Sequence, residues 1–288
     1  MLALSPSSIL TPQSLGPSGG GSSYVGPLDD QTTGLTFAMS LKRRLLRAVT
    51  DPLFKVRSSA SGSPTLDIGA TAAGVVDSSA LATFAGSDSL YVTEVYPQAN
   101  MTGNLTQATA SSQPRLYNAG TIEDEGGMYF DGGDDCMTTP TFPVLDFLSA
   151  SSGQLWFRVK TFDPPNNGRL FALTGNDTGL FFPFSGALYF DYASPFTGRI
   201  SVATPTGVVG EWADVSLEKE GGTSRIRING TVVVSGSTSA VLSAALVALF
   251  LGCAPDGSSP FRGWIKEMAV WNDGTAANCI ARCAALAA

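Results

Sequence analysis

The chain has 288 residues and no histidine. That absence excludes Ser-His-Asp and Cys-His catalysis and every His-ligated metal site. Cysteine is scarce: Cys136, Cys253, Cys279 and Cys283 make up the 4 in the chain, too few and too unevenly spaced for a disulfide framework. Cys279 and Cys283 fall four apart on one face of a predicted C-terminal helix, where a disulfide would be strained. All four are expected as reduced, buried, small apolar residues. Charge is sparse too, at 14% of residues, and 17 basic against 24 acidic side chains leave a net charge of -7. This balance argues against a broad nucleic-acid footprint. The basic run Lys42-Arg43-Arg44 with Arg47 reads as a solvated helix face.

Long apolar runs are missing as well. Ser235 to Pro255 is uncharged, but its first third is Gly, Ser and Thr and its apolar part has the length of a strand, so a buried strand is expected rather than membrane insertion. Met1-Leu2-Ala3-Leu4 runs into Ser-Pro-Ser-Ser with no basic start and no apolar core, so no secretory signal is expected and synthesis in a cytoplasm follows. What the chain has in quantity is turn residues, 32 Gly and 17 Pro, which suit strands better than helices.

The stretch Gly210 to Trp271 shows this most clearly. Ala213, Val215 and Leu217 alternate with Asp214, Ser216 and Glu218, the period of a half-buried strand. Gly221-Gly222 turns the chain, Arg225 to Ile228 alternates again, and Asn229-Gly230 is the dipeptide favoured in a type I′ turn because both central residues need positive φ. Thr231 to Val234 continues as a strand. Leu246 to Leu251 forms another that ends at Gly252, and Ile265 to Trp271 closes the meander.

"GEWADVSLEKEGGTSRIRINGTVVV", "LFLGC" and "PFRGWIKEMAVWN", with "MYFDGGDDCMTTP" upstream, resemble the laminin-G-like, concanavalin A-like jelly roll. Upstream, "SLKRRLLRAV", "PLFKVRSSAS" and "LDIGATAAGVVDSSALATFAGSDSLYVTEVYPQANMTGNLTQATASSQPRLYNAG" resemble the N-terminal half of the arabinofuranosidase B catalytic domain, a segment shared by virion proteins of tailed bacteriophages. The two resemblances imply an all-β fold, a concanavalin A-like antiparallel β-sandwich (jelly roll) with short helices. Residues 34–288 are expected to form one composite sandwich and residues 1–33 an extended N-terminal arm. The arm is too rich in Ser, Pro and Gly to bury much apolar surface. It is expected to dock on a neighbouring subunit or a particle surface, with addition to its own sandwich as the alternative. Further along, Leu35 to Val49 reads as an amphipathic helix, Phe54 to Arg57 as a short strand, Ser78 to Phe84 as a helix capped by Asp77, and Ser89 to Tyr96 as a strand.

By the same resemblance Asp256, in "LGCAPDGSSPFRG", stands where the enzymes place their acid, and a turn role is its alternative. No partner carboxylate is evident: Gln154 to Phe162 holds neither a carboxylate nor a cysteine, and Pro97 replaces the acidic residue of the enzymes' Tyr-Asp-Gln-Ser-Gly-Asn-Gly segment. The chain is therefore expected not to be an enzyme. Asp131, Asp134 and Asp135 are candidate oxygen ligands for calcium, the one cofactor considered, against a role as turn acceptors. Glu123-Asp124-Glu125 reads as a solvated loop. Within the aromatic run Phe181 to Phe196, Tyr189, Asp191 and Tyr192 are the carbohydrate-binding candidates, against core packing. Trp156, Trp212, Trp264 and Trp271 are expected to fill the core. The function implied is a structural virion protein, a head-decoration or tail-fibre accessory module in a symmetric or homo-oligomeric assembly. It would contact other virion proteins through residues 1–33 and host-surface polysaccharide through the sandwich. The alternatives are an arabinofuranosidase-like glycosidase and a free lectin.

Overall fold

The computed structural model describes residues 24–50, 52–99, 103–142, 152–162, 167–174, 178–191, 199–237 and 247–288. Residues 1–23 of the expected docking arm lie outside that set, as does Tyr192. The strands are β1 (Leu35–Ser40), β2 (Phe54–Ser58), β3 (Thr65–Ile68), β4 (Leu90–Val95), β5 (Leu105–Thr106), β6 (Arg115–Asn118), β7 (Thr121–Ile122), β8 (Met128–Asp131), β9 (Met137–Phe142) and β10 (Ser152–Thr161). They continue as β11 (Arg169–Leu173), β12 (Gly179–Phe184), β13 (Ala187–Asp191), β14 (Ile200–Ala203), β15 (Trp212–Glu220), β16 (Thr223–Ile228), β17 (Thr231–Ser237), β18 (Val247–Leu251) and β19 (Arg262–Trp271). Two α-helices, α1 (Ser78–Ala85) and α2 (Ala276–Ala287), and two single 3₁₀ turns, Ala110–Ser112 and Asp124–Gly126, complete the described elements.

The strands pair antiparallel throughout. One layer runs β2, β4, β6, β8, β19, β10, β15, β16, β17, with β1 beside the C-terminal half of β19. The other runs β5, β9, β18, β11, β12, β13, β14. Because β4 also pairs with β5, the two layers join along one edge and the sheet nearly closes on itself. The chain is thus a mostly-β, concanavalin A-like antiparallel sandwich. Its core lies between the layers, where Phe54, Phe130, Phe157, Phe171, Phe182 and Phe190 are fully buried.

The expected C-terminal meander holds only for β15, β16 and β17: β18 pairs instead with β9 and β11 in the other layer, and β19 with β1, β8 and β10, because strand order is not set by chain order. Asn229 and Gly230 both take positive φ, at 46° and 81°, as the tight turn between β16 and β17 requires. Asp77 accepts the Ala80 N–H at 2.9 Å and caps α1.

Three further expectations are corrected. Leu35 to Val49 is no helix: its first six residues form β1, paired from Leu35 opposite Trp271 to Ser40 opposite Glu267. Both faces of β1 are buried, so its apolar content does not distinguish the two periods. The Ser40 hydroxyl oxygen then accepts the Lys42 and Arg43 N–H groups at 3.0 Å each, which diverts the backbone from a helix. The basic run is accordingly paired: Arg43 lies 3.0 Å from Glu267 and Arg47 3.3 Å from Asp29.

Cysteine is the second correction. Cys279 and Cys283 are free and buried, but Cys136 and Cys253 form a disulfide. Cys136 precedes β9 and Cys253 follows β18, at the paired ends where Met137 stands opposite Leu251, and such proximity across 117 residues is invisible in linear spacing. The tryptophans are the third. Trp156 and Trp271 are fully buried, whereas Trp212 and Trp264 are half-buried on the outer face of the larger layer.

That outer face is covered at one end. Trp156 and Trp271 pack there with Leu28, Leu45, Cys283 and Leu286, beneath α2 and the segment from residue 24. Residues 24–33 are held by their own chain: the Leu28 N–H donates to the Leu45 carbonyl at 3.0 Å and the Trp271 indole N–H to the Gln31 carbonyl at 2.8 Å.

Candidate functional site

The other end of the same outer face is open. Strand register sets Arg57 (β2) beside Tyr91 (β4), Tyr91 beside Arg115 (β6), Arg115 beside Tyr129 (β8), Tyr129 beside Trp264 (β19), and Trp264 beside Lys160 (β10). Cations and rings therefore alternate along a row. The Arg57 guanidinium lies 4.8 Å from the Tyr91 ring centroid and that of Arg115 5.1 Å from Tyr129. The Tyr129 and Trp264 rings are 5.0 Å apart, and the Lys160 ammonium is 5.7 Å from the Trp264 ring.

Glu123, Asp124 and Glu125 lie across this row. The reading of them as a solvated loop is corrected, because each has taken a cation. Arg115 lies 2.6 Å from Glu123, Lys160 2.5 Å from Asp124 and Lys266 2.9 Å from Glu125. The Trp264 and Trp212 indoles also donate to Glu123 and Asp124, at 3.2 and 3.3 Å.

Where the loop ends, a pocket of about 440 Å³ opens, lined by Arg57, Tyr91, Gln113, Arg115, Tyr129, Asp131 and Asp135. Its carboxylates come from the turn between β8 and β9. One oxygen each of Asp131, Asp134 and Asp135 lies within 4.8 Å of the others. Asp131 accepts the Gly133 N–H at 2.6 Å, Asp134 the Ser112 hydroxyl at 2.8 Å, and Asp135 the Asp131 N–H at 2.9 Å. Three such oxygens would supply about half of the six to eight that calcium takes. Asp135 stands apart from the other two. Burial pushes its carboxyl up to about 7, with the neighbouring charges of Asp131 and Asp134 adding to the effect. A carboxylic acid that keeps its proton near neutrality, within about 5 Å of a second carboxylate, is the arrangement that general acid catalysis of glycoside cleavage uses.

The remaining sequence candidates lie elsewhere. Asp256 is exposed on the loop after β18, and the Ser258 hydroxyl and amide hold its carboxyl below the ordinary value. It accepts the Ser258 N–H at 2.9 Å, the geometry of a turn. Tyr189 is half-buried on the outer face of the smaller layer, 6.2 Å from Phe184 by ring centroid. Asp191 is buried and takes both faces of the Arg199 fork, with the second contact at 2.7 Å. The same guanidinium lies 4.9 Å from the Tyr189 ring, so this cluster is internally satisfied. In the aromatic run Phe182 and Phe190 point into the core, while Phe181, Phe184 and Tyr189 stay half-buried outside.

Sequence reasoning missed Arg57, Tyr91, Gln113, Arg115 and Tyr129. Strand alternation marks four of them as outward-facing, but their assembly depends on β2, β4, β6 and β8 lying side by side, and strand order is not written in any one strand.

The model of the concanavalin A-like lectin/glucanases superfamily matches residues 131–281, a little over half of the chain. No curated protein matches the sequence. Among solved structures, a GH54 α-L-arabinofuranosidase variant soaked with 4-nitrophenyl α-L-arabinofuranoside superposes with a TM-score of 0.66 at 16% identity, covering 91% of this chain and 65% of that one. An arabinofuranosidase complexed with arabinofuranosyl-α-1,2-xylobiose gives 0.64 at 16%, covering 90% and 65%. The chain thus spans just under two thirds of the length of these enzymes, and at such identity the likeness shows the fold alone. It nonetheless corrects the expectation of a non-enzyme. The sandwich of this chain, nearly end to end, is one on which glycosidases are built, and the missing carboxylate between Gln154 and Phe162 does not bar catalysis from another part of it. The virion role rests on the sequence resemblance alone.

Proposed function

The chain belongs to the concanavalin A-like lectin/glucanases superfamily, and from that premise we propose that it is a glycoside-binding protein with glycosidase chemistry in the Asp131–Asp135 pocket. One observation carries the reading: a carboxyl held protonated to about pH 7 lies beside a second carboxylate in a pocket walled by tyrosines and guanidinium groups. The Tyr91 and Tyr129 rings offer flat surfaces to the apolar face of a sugar. Asp135 donates its proton to the glycosidic oxygen as the bond to the anomeric carbon breaks. The Asp131 carboxylate attacks that carbon and forms an ester. Water then cleaves the ester, returning a proton to Asp135.

The test is turnover of a panel of 4-nitrophenyl glycosides, the α-L-arabinofuranoside included, by the intact chain and by Asp135→Asn, Asp131→Asn and Asp256→Asn. The pocket reading expects a loss of at least ~100-fold in kcat for Asp135→Asn and Asp131→Asn, and near-native rates for Asp256→Asn. Loss in Asp256→Asn with activity kept in Asp135→Asn would move the chemistry to the loop after β18 and end the pocket reading.

A further inference from the structure

The aromatic and cationic row crosses the strands from β2 to β10, about 24 Å at 4.8 Å per strand. Its cations are not alike. Arg115 and Lys160, together with Lys266 beside them, each hold a carboxylate from the 123–125 segment. Arg57 has none among the described residues. Its guanidinium donates to three neutral oxygens, the Gln113 side-chain carbonyl at 2.7 Å and the Ser58 and Ala110 backbone carbonyls at 3.3 Å each. It is half-buried, stacked on Tyr91, and lines the pocket. Gln113 is buried and donates its own amide N–H to the Gln107 carbonyl at 2.9 Å, so its orientation, and through it that of the guanidinium, is fixed. A positioned guanidinium with uncompensated charge at a pocket wall is a receptor for a carboxylate or phosphate.

Sugar chemistry narrows the anion. The pocket has rings for an apolar pyranose face and two carboxyl groups where a glycosidic oxygen would sit. A ligand that also satisfies Arg57 must carry its charge on the ring itself. We propose that the Arg57 end of the pocket is a carboxylate subsite and that the sugar bound there is a uronate within an acidic polysaccharide. The inference rests on the reading of the pocket as a sugar site. The 123–125 carboxylates show the same chemistry within the chain, since they occupy Arg115, Lys160 and Lys266 as the uronates of a longer acidic glycan would occupy cations along the row.

The experiment is calorimetric titration of the full chain with trigalacturonate and with its methyl ester, which keeps the sugar rings and removes the charge, at neutral pH and low salt. The expected result is at least tenfold tighter binding of the acid, with Arg57→Gln bringing acid and ester to equal affinity. Arg57→Lys, which keeps the charge and loses the fork, retains part of the preference. Equal affinity for acid and ester in the unmodified chain overturns the uronate subsite and leaves the sugar pocket standing, and this comparison needs no variant to fold. Absence of binding by either sugar, with no turnover of the neutral aryl glycosides, overturns both readings together.

Discussion

The outer face of the larger layer has two halves, and they have opposite fates. Toward α2, the outward residues of β10, β15 and β16 are sealed. Gln154, Ser216, Glu218 and Arg227 are buried there with Trp156 and Trp271. Arg227 holds Glu218 through both arms of its fork, at 2.7 and 3.0 Å, and the Gln154 amide donates to Ser216 at 2.8 Å. Toward β2, the outward residues of β4, β6, β8 and β19 are of the same kinds, rings and ion pairs, yet they stay half-open around a pocket. What differs is the cover. A helix and an N-terminal segment turn one half into structure, and a three-residue acidic segment leaves the other half accessible to a ligand.

The covered half is held by packing, whereas the pocket half relies on a covalent tie. The disulfide fixes Cys136, next to Asp135, against Cys253, just ahead of the loop that carries Asp256. Closing a loop over a sequence separation of 117 residues restricts the unfolded chain by ~5 kcal/mol in the chain-entropy account. Replacing both cysteines with serine should lower stability in urea denaturation by about that amount. It should also loosen the Asp131–Asp135 turn before α2 detaches, as hydrogen exchange would register. Uniform loosening of both halves would mean the contrast in how they are held is false.

A second test separates the ion pairs. Glu218 and Arg227 have side-chain exposures of 1% and 7%. Removing one partner of such a pair strands a buried charge, so Glu218→Ala should cost ~3–5 kcal/mol. Glu123→Ala removes the partner of Arg115, which is 29% exposed, and should cost ~1 kcal/mol or less. If the two variants proved equally destabilised, the 123–125 segment would be as structural as α2, and its carboxylates would not be standing where a ligand could.

How far the sequence reaches differs between the halves for a physical reason. Alternation in Trp212–Glu220 identifies a strand and its two faces, and Asn229-Gly230 identifies its hairpin, because each is a local constraint satisfied by neighbouring residues. Alternation cannot say what lies over the polar face. Asp214, Ser216 and Glu218 read as solvent-facing, and all three are buried. The pocket is less legible still. The acidic turn at Asp131–Asp135 is visible as a motif, but the guanidinium and tyrosine walls arrive from strands up to about seventy residues upstream. The disulfide escapes for the same reason, since pairing follows strand order.

Asp135 sharpens the contrast further, because it is a buried acid with no cation bound to it among the described residues. In the covered half, charge is buried with its partner. Here burial instead pushes the carboxyl up to about 7. The folded-state value is therefore above that of the unfolded chain, about 4. Between those two values the folded chain keeps a proton that the unfolded chain has released, so stability falls as pH rises through this window and levels off above about 7. The amide introduced by Asp135→Asn does not titrate, and its oxygen can still accept the Asp131 N–H that the Asp135 carboxyl accepts at 2.9 Å. Asp135→Asn should thus match the unmodified chain near pH 4 and exceed it by ~4 kcal/mol at pH 8, at ~1.4 kcal/mol per unit, as urea denaturation at a series of pH values would show. The same substitution is expected to lower glycoside turnover by at least ~100-fold, and a gain in stability paired with a loss of chemistry is how a group retained for function rather than for folding behaves. Parallel stability curves for the two proteins would place Asp135 with the turn residues around it and leave the pocket without its acid.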